Sequence, residues 1–109
     1  MPPVLAKEIS PKELKAILDS GERILILDVR EPNEFALANI GGHLIPLGEL
    51  EKRFTEVDPT QTIVTLCHHG VRSRHAAQFL RAQGYSKVSN LSGGIERWSQ
   101  EIDSGVARY

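Results

Sequence analysis

Cysteine occurs once in the 109 residues, at Cys67, so no internal disulfide can form. A lone thiol is either a small buried apolar residue or a reactive group in a reducing compartment. Long apolar runs are absent as well. No stretch approaches the roughly 20 residues a membrane helix needs, and the start "MPPVLAKEIS" lacks the basic and apolar regions of a secretion signal. A cytoplasmic protein is expected. The third shortage is local: all fourteen Asp and Glu fall within residues 8–58 and 96–103. The span from Pro59 to Ile95 therefore has no acid, while it carries Arg72, Arg74, Arg81, Lys87 and three of the four histidines. So few fixed cations suit a small anion better than a polyphosphate backbone, which argues against nucleic-acid binding.

What is present fits one compact domain over residues 1–109, with no room for a second and no repeat, linker or low-complexity segment. "AKEI" reads as a first strand. "SPKELKAILDSG" follows as a helix with Ser10 as N-cap, Pro11 in the first turn, Glu13 closing a capping box, Gly21 as the stop, and Leu14, Ile17 and Leu18 on one apolar face. The continuous run "ILIL" at 24–27 has the pattern of a parallel strand covered on both sides. Pro32 opens a short helix carrying Phe35 and Leu37, and "GGHLIPL" returns to extended chain. A helix through Leu50 and Phe54, the turn "DPTQ" and the strand "IVTL" at 63–66 follow. The spacing then predicts a helix from about Ser73 to Gln83, stopped by Gly84. "KVSNL" is a further strand, and "SGGIERWSQEI" a glycine turn and helix with Ile95, Trp98 and Ile102 as core. Strands alternating with helices predict an α/β domain with a mainly parallel central sheet and helices on both faces.

That reading places Cys67 at the carboxyl end of a buried strand, just before a helix N-terminus, where open α/β sheets hold their ligands. Backbone N–H groups of residues 68–73 can curl around the sulfur, Gly70 supplies the left-handed backbone the curl needs, and the helix dipole adds its positive end. An anionic sulfur gains from all three. The alternative is a buried structural cysteine, the commoner fate of cysteines at large. His68, His69 and His75 around Cys67 do not make a metal site: no C-x2-C or H-x3-H pair is present to converge on zinc, and neither metal nor cofactor is expected. His43 reads as a surface or pocket-rim residue, and Gly93 and Gly94 as turn glycines.

"CHHGVRS" resembles the active-site loop of the rhodanese-like sulfurtransferases, which runs Cys, two variable residues, Gly, one variable residue, Arg, then Ser or Thr. "LILDVREPNEF" is similar to the first signature of that family and "NLSGGIERW" to the closing one, so the resemblance spans nearly the whole chain. One departure is "NIGGHLIPLGEL", where many members read His, Ile, any residue, Gly, Ala. That segment and the ending "EIDSGVARY" look most like rhodanese domains fused behind ubiquitin-activating-type adenylyltransferases that load sulfur-carrier proteins.

The resemblance implies a single rhodanese-like domain that moves sulfane sulfur from thiosulfate or a persulfide to a nucleophilic acceptor through a Cys67 persulfide. It implies a loop of His68, His69, Gly70, Val71, Arg72 and Ser73 around the sulfur, with Arg72 as loop anchor and Asp28 or Glu34 as its partner. Arg30 and Arg74 are expected at the pocket mouth, where they could hold an approaching carboxyl end; solvated surface arginines are the plain alternative. The expected partners are a small anionic sulfur donor and a sulfur-carrier protein or thiol acceptor, with the domain itself monomeric. A catalytically idle binding module on the same fold is the alternative of a different class, although such modules usually lose the cysteine. Tyrosine-phosphatase-type and arsenate-reducing enzymes, which place five residues between Cys and Arg, are the second alternative. Here four residues separate Cys67 from Arg72, and the nearest acids along the chain, Asp58 and Glu96, leave no evident proton donor for a leaving alkoxide.

Overall fold

The computed structural model describes residues 7–109. Five parallel strands form one sheet: β1 (Glu8–Ile9), β2 (Ile24–Asp28), β3 (His43–Leu44), β4 (Thr62–Leu66) and β5 (Val88–Leu91), in the spatial order β1-β5-β4-β2-β3. Five helices connect them: α1 (Pro11–Asp19), α2 (Pro32–Leu37), α3 (Leu50–Arg53, flanked by 3-10 turns Leu47–Glu49 and Phe54–Glu56), α4 (Val71–Ala82) and α5 (Gly94–Glu101). The first strand is shorter than "AKEI" suggests, and Ala6 lies outside the described residues.

Local signals act where the sequence puts them. The Ser10 hydroxyl accepts from Glu13 N at 3.1 Å while the Glu13 carboxylate accepts from Ser10 N at 3.0 Å, which satisfies two of the free donors at the start of α1. Leu14 is fully buried on that helix, but Leu18, expected on the same face, is exposed. α4 starts at Val71 rather than Ser73, because Gly70 takes φ +102 and serves as its N-cap. Val71, Arg72 and Ser73 therefore belong to the first helical turn and not to the preceding loop.

Parity along the central strands divides two cores. Ile63 of β4 packs with Leu27, Ala76, Ala77 and Leu80 on the α3/α4 face, together with Cys67 just beyond the strand. Val64 and Leu66 face the other way, with Leu14, Ile26, Leu91, Ile95 and Trp98 beneath α1 and α5. Because side chains alternate across a strand, continuing the odd-numbered series 63, 65, 67 delivers the Cys67 sulfur to the face that carries the N-terminus of α4. Among the described residues no helix is long and apolar enough to cross a membrane.

Candidate active site

Cys67 directly follows β4, between the carboxyl ends of β2 and β5, and is buried. The chain turns through His68 and His69 to Gly70, whose N–H donates to Cys67 Sγ at 3.0 Å. A side chain at Gly70 would be strained at φ +102 and would press on Gly93 N and Leu91 O. The outer side of the turn is held by α5. Ile95 N donates to Cys67 O at 2.9 Å and Glu96 N to His68 O at 3.1 Å, so N–H groups left unpaired at a helix start take up the loop carbonyls. This requires contact without side chains: a Cβ on Gly94 (φ +61) would overlap the carbonyl oxygens of Cys67 and His68. Gly93 and Gly94, read from sequence as turn glycines, thus also bring α5 against the loop.

Arg72 has a definite partner. Its guanidinium donates through Nη1 and Nη2 to both carboxylate oxygens of Glu34 in α2, at 2.6 and 2.8 Å. The fork matches the carboxylate geometry and ties the first turn of α4 to α2. The Arg72 hydrogen bonds hold the Glu34 carboxyl down at about 2, and the same pairing raises Arg72. Asp28, the other acid considered, is taken by Arg30. Arg30 Nη2 lies 2.7 Å from Asp28 Oδ2 with both side chains fully buried, and the same nitrogen donates to Ala38 O at 2.7 Å. Arg30 therefore does not line the pocket mouth. Its charge is consumed inside the protein, where Nε donates to Asp28 Oδ1 and each terminal nitrogen has two partners, which offsets the cost of burial. Arg74 stays on the surface, half exposed, 3.5 Å from Glu8.

These pairs correct the expectation of a positive environment. The span from 59 to 95 has no acid along the chain, yet folding brings acids to it: Glu34 to Arg72, Glu8 to Arg74, and Glu96 to within 3.6 Å of His68. Neither carboxyl bordering the loop is a proton donor at neutral pH. Glu34 sits at about 2, and Arg108, hydrogen-bonded at 2.8 Å, lowers Glu96. For Glu34 and Glu96 it is ion pairing, rather than distance along the chain, that argues against a general-acid role. Among the described residues no group of three or more His, Cys, Asp or Glu is placed to share a metal ion. His43 is at the surface, 3.3 Å from Glu56.

Two participants escaped the sequence reading. The Tyr109 hydroxyl accepts from Arg30 Nη1 at 2.9 Å and donates to Glu34 Oε2 at 2.9 Å, joining the two ion pairs, and its ring stacks on His68 at 4.1 Å between centroids. His68 in turn stacks on His69 at 4.0 Å. Asn90, fully buried on β5, lies under the loop: its Nδ2 donates to Gly70 O and to Glu8 Oε1, each at 3.0 Å, and its Oδ1 meets Ser73 Oγ at 2.5 Å. Only a terminal "ARY" and a polar residue within a buried strand, Asn90 in "KVSNL", could have pointed to them.

Residues 10–101 match the family model described as "Rhodanese-like domain". The chain is 44% identical over 97 residues to the "Putative sulfur carrier protein YrkF" of Bacillus subtilis, covering 88% of this chain and 52% of that protein. It is 34% identical to "Adenylyltransferase and sulfurtransferase MOCS3-2" of Zea mays, covering 93% of this chain and 23% of that one. It is 35% identical to "Thiosulfate sulfurtransferase GlpE" of Ectopseudomonas mendocina, covering 94% and 93%. The chain therefore spans about half the length of the first relative, a quarter of the second and nearly all of the third.

Proposed function

Since the chain belongs to the rhodanese-like domain family of sulfurtransferases, we propose that its own reaction is the transfer of sulfane sulfur through a persulfide on Cys67. The observation that supports this reading is the placing of Cys67 Sγ beneath the Gly70 N–H, at the mouth of a strand and the start of a helix, in a loop braced by Arg72–Glu34 on one side and α5 on the other. The Cys67 thiolate attacks the outer sulfur of thiosulfate. A new S–S bond forms to Cys67, the sulfur–sulfur bond of the donor breaks, and its electron pair leaves with sulfite. The persulfide anion meets the loop N–H donors and the N-terminus of α4, which favour a negative terminal sulfur. An acceptor thiolate or cyanide then attacks that terminal sulfur, and the electron pair of the broken bond returns to Cys67. The braced loop lowers the barrier because it need not reorganise when the charge moves outward by one sulfur.

The acceptor we favour is a sulfur-carrier protein or a small thiol; the name of the Bacillus relative and the carrier-loading style of "NIGGHLIPLGEL" support the former. Arg74, half exposed on α4 beside Glu8, is our candidate for meeting an incoming carboxylate; Arg30, buried against Asp28, is not. Incubation of the reduced protein with thiosulfate, followed by intact mass, tests the proposal. The expected result is a gain of one sulfur atom, removed by cyanide and absent in Cys67→Ser. No gain with thiosulfate or with a small persulfide would leave the idle binding module as the better reading.

A further inference from the structure

The contacts beneath Cys67 contain a proton count that does not close by itself. Ser73 Oγ lies 3.3 Å from Cys67 Sγ and 2.5 Å from Asn90 Oδ1, but a hydroxyl has one proton to give. The amide orientation of Asn90 is decided by its other end, since the atom that meets Gly70 O and Glu8 Oε1 faces two acceptors and must be the NH2. The atom facing Ser73 is therefore the carbonyl oxygen, which can only accept. A proton has to lie between it and Ser73 Oγ, and Ser73 is the residue that supplies it. Thr65, whose hydroxyl is 2.9 Å from Ser73 O, 3.2 Å from Asn90 Oδ1 and 3.3 Å from Ser89 O, has one proton for these three acceptors and does not relieve the demand.

We propose that Asn90 is a positioning residue that directs the Ser73 hydroxyl away from the sulfur, so that Ser73 presents its lone pairs to Cys67 and accepts from the resting thiol. The Gly70 N–H is left as the donor that meets the sulfur. Through its NH2, the same side chain holds the Gly70 carbonyl from below, so one buried amide sets both groups that touch Cys67 Sγ. Asn90 can do this because its pairing with Thr65 across β4 and β5 puts it on the face that carries Cys67. The inference rests on Cys67 as the reacting thiol, and its test uses no sulfur donor, so it can fail while sulfur transfer stands, and the reverse.

Cys67 is the one cysteine in the chain, so the ultraviolet absorbance of thiolate, corrected with Cys67→Ser, follows its ionisation alone. The charged and titratable groups around the loop are the same in every variant: Arg72 and Arg74 of α4, His68 and His69, Glu34 of α2, Glu8 of β1, Glu96 of α5 and Tyr109; Glu8 loses its Asn90 donor in Asn90→Ala with and without the Ser73 hydroxyl, so that change cancels in the comparison. In Asn90→Ala the hydroxyl is free to turn and donate to the thiolate, and the titration midpoint is expected to fall by about half a pH unit or more. In a Ser73→Ala background the same substitution is expected to give no fall, since only its hold on the Gly70 carbonyl is then lost. A rise, no movement, or an equal shift with and without the Ser73 hydroxyl would overturn the proposal, since a merely structural role predicts no dependence on Ser73. Ser73→Ala alone gives a second reading if Asn90→Ala does not fold. With lone pairs facing the sulfur, its midpoint does not rise; a rise would mean that Ser73 donates to Cys67 at rest and that Asn90 does not command its proton.

Discussion

Substituting Glu34→Gln breaks the brace between α2 and the Cys67 loop while keeping shape and an acceptor oxygen for Tyr109. In the folded protein the Glu34 carboxyl is held at about 2 against 4.5 in the open chain. At 1.36 kcal/mol per unit, that gap of about 2.5 units sets an upper value of about 3 kcal/mol. The side chains of Arg72 and Glu34 retain 36% and 16% exposure, and solvent screening brings the expected loss to about 1–2 kcal/mol at neutral pH. The pH dependence has a definite sign. A carboxyl that is a stronger acid when folded contributes fully above its unfolded value near 4.5 and loses that contribution as pH falls through about 2. The stability gap between the parent and Glu34→Gln is therefore flat from about pH 7 to about pH 5 and narrows toward about pH 3. Urea unfolding of both proteins at those three values measures it, with slopes checked for equality so that midpoints translate into free energy. Sulfur transfer from thiosulfate should fall about tenfold in the same variant if the whole loss is felt at the loop. A gap below about 0.3 kcal/mol at neutral pH, or one undiminished at about pH 3, would refute the claim that the Arg72–Glu34 ion pair braces the loop.

Three further outcomes are expected. Gly94→Ala should cost at least about 3 kcal/mol and abolish sulfur loading, because its methyl overlaps the Cys67 and His68 carbonyls, whereas Gly84→Ala, left-handed but with nothing within 4 Å, should cost about 1 kcal/mol in the same thermal melts. Asp28→Asn strands the fully buried Arg30 and should destabilise by about 3–5 kcal/mol, more than Glu34→Gln; a smaller loss by urea unfolding would mean that water reaches Arg30. Tyr109→Phe keeps the stack on His68 and removes the hydroxyl bridge, for about 1 kcal/mol. Burial raises the Tyr109 phenol above its ordinary 10, so this last gap is full below about pH 10 and should close as pH rises beyond it.

Much of the molecule could be read along the chain because the deciding forces act over a few residues. The capping box of Ser10 and Glu13, the strands "ILIL" and "IVTL", and a cysteine between a strand end and a helix start are patterns of spacing two, three or four. The same local reading misjudged where α4 begins, since the left-handed Gly70 can act as an N-cap as readily as a loop residue, and whether Leu18 is covered, since that depends on what packs over α1.

The alternation of strands and helices determined the α/β class, and the Cys-x-x-Gly-x-Arg spacing singled out Cys67 as the candidate thiol. Strand order decided everything that surrounds it. With β4 between β2 and β5, Asp28 pairs with Leu66 on one side, while Thr65 pairs with Asn90 on the other and brings the Asn90 amide beneath the Cys67 loop. Glu34 reaches Arg72 across 38 residues and Tyr109 reaches Glu34 across 75. Charge counted along the chain placed Cys67 in a positive stretch, but electrostatic energy depends on distance in space, and the folded chain carries Glu34 to Arg72 and Glu8 to Arg74, cations that the linear order kept apart from any acid.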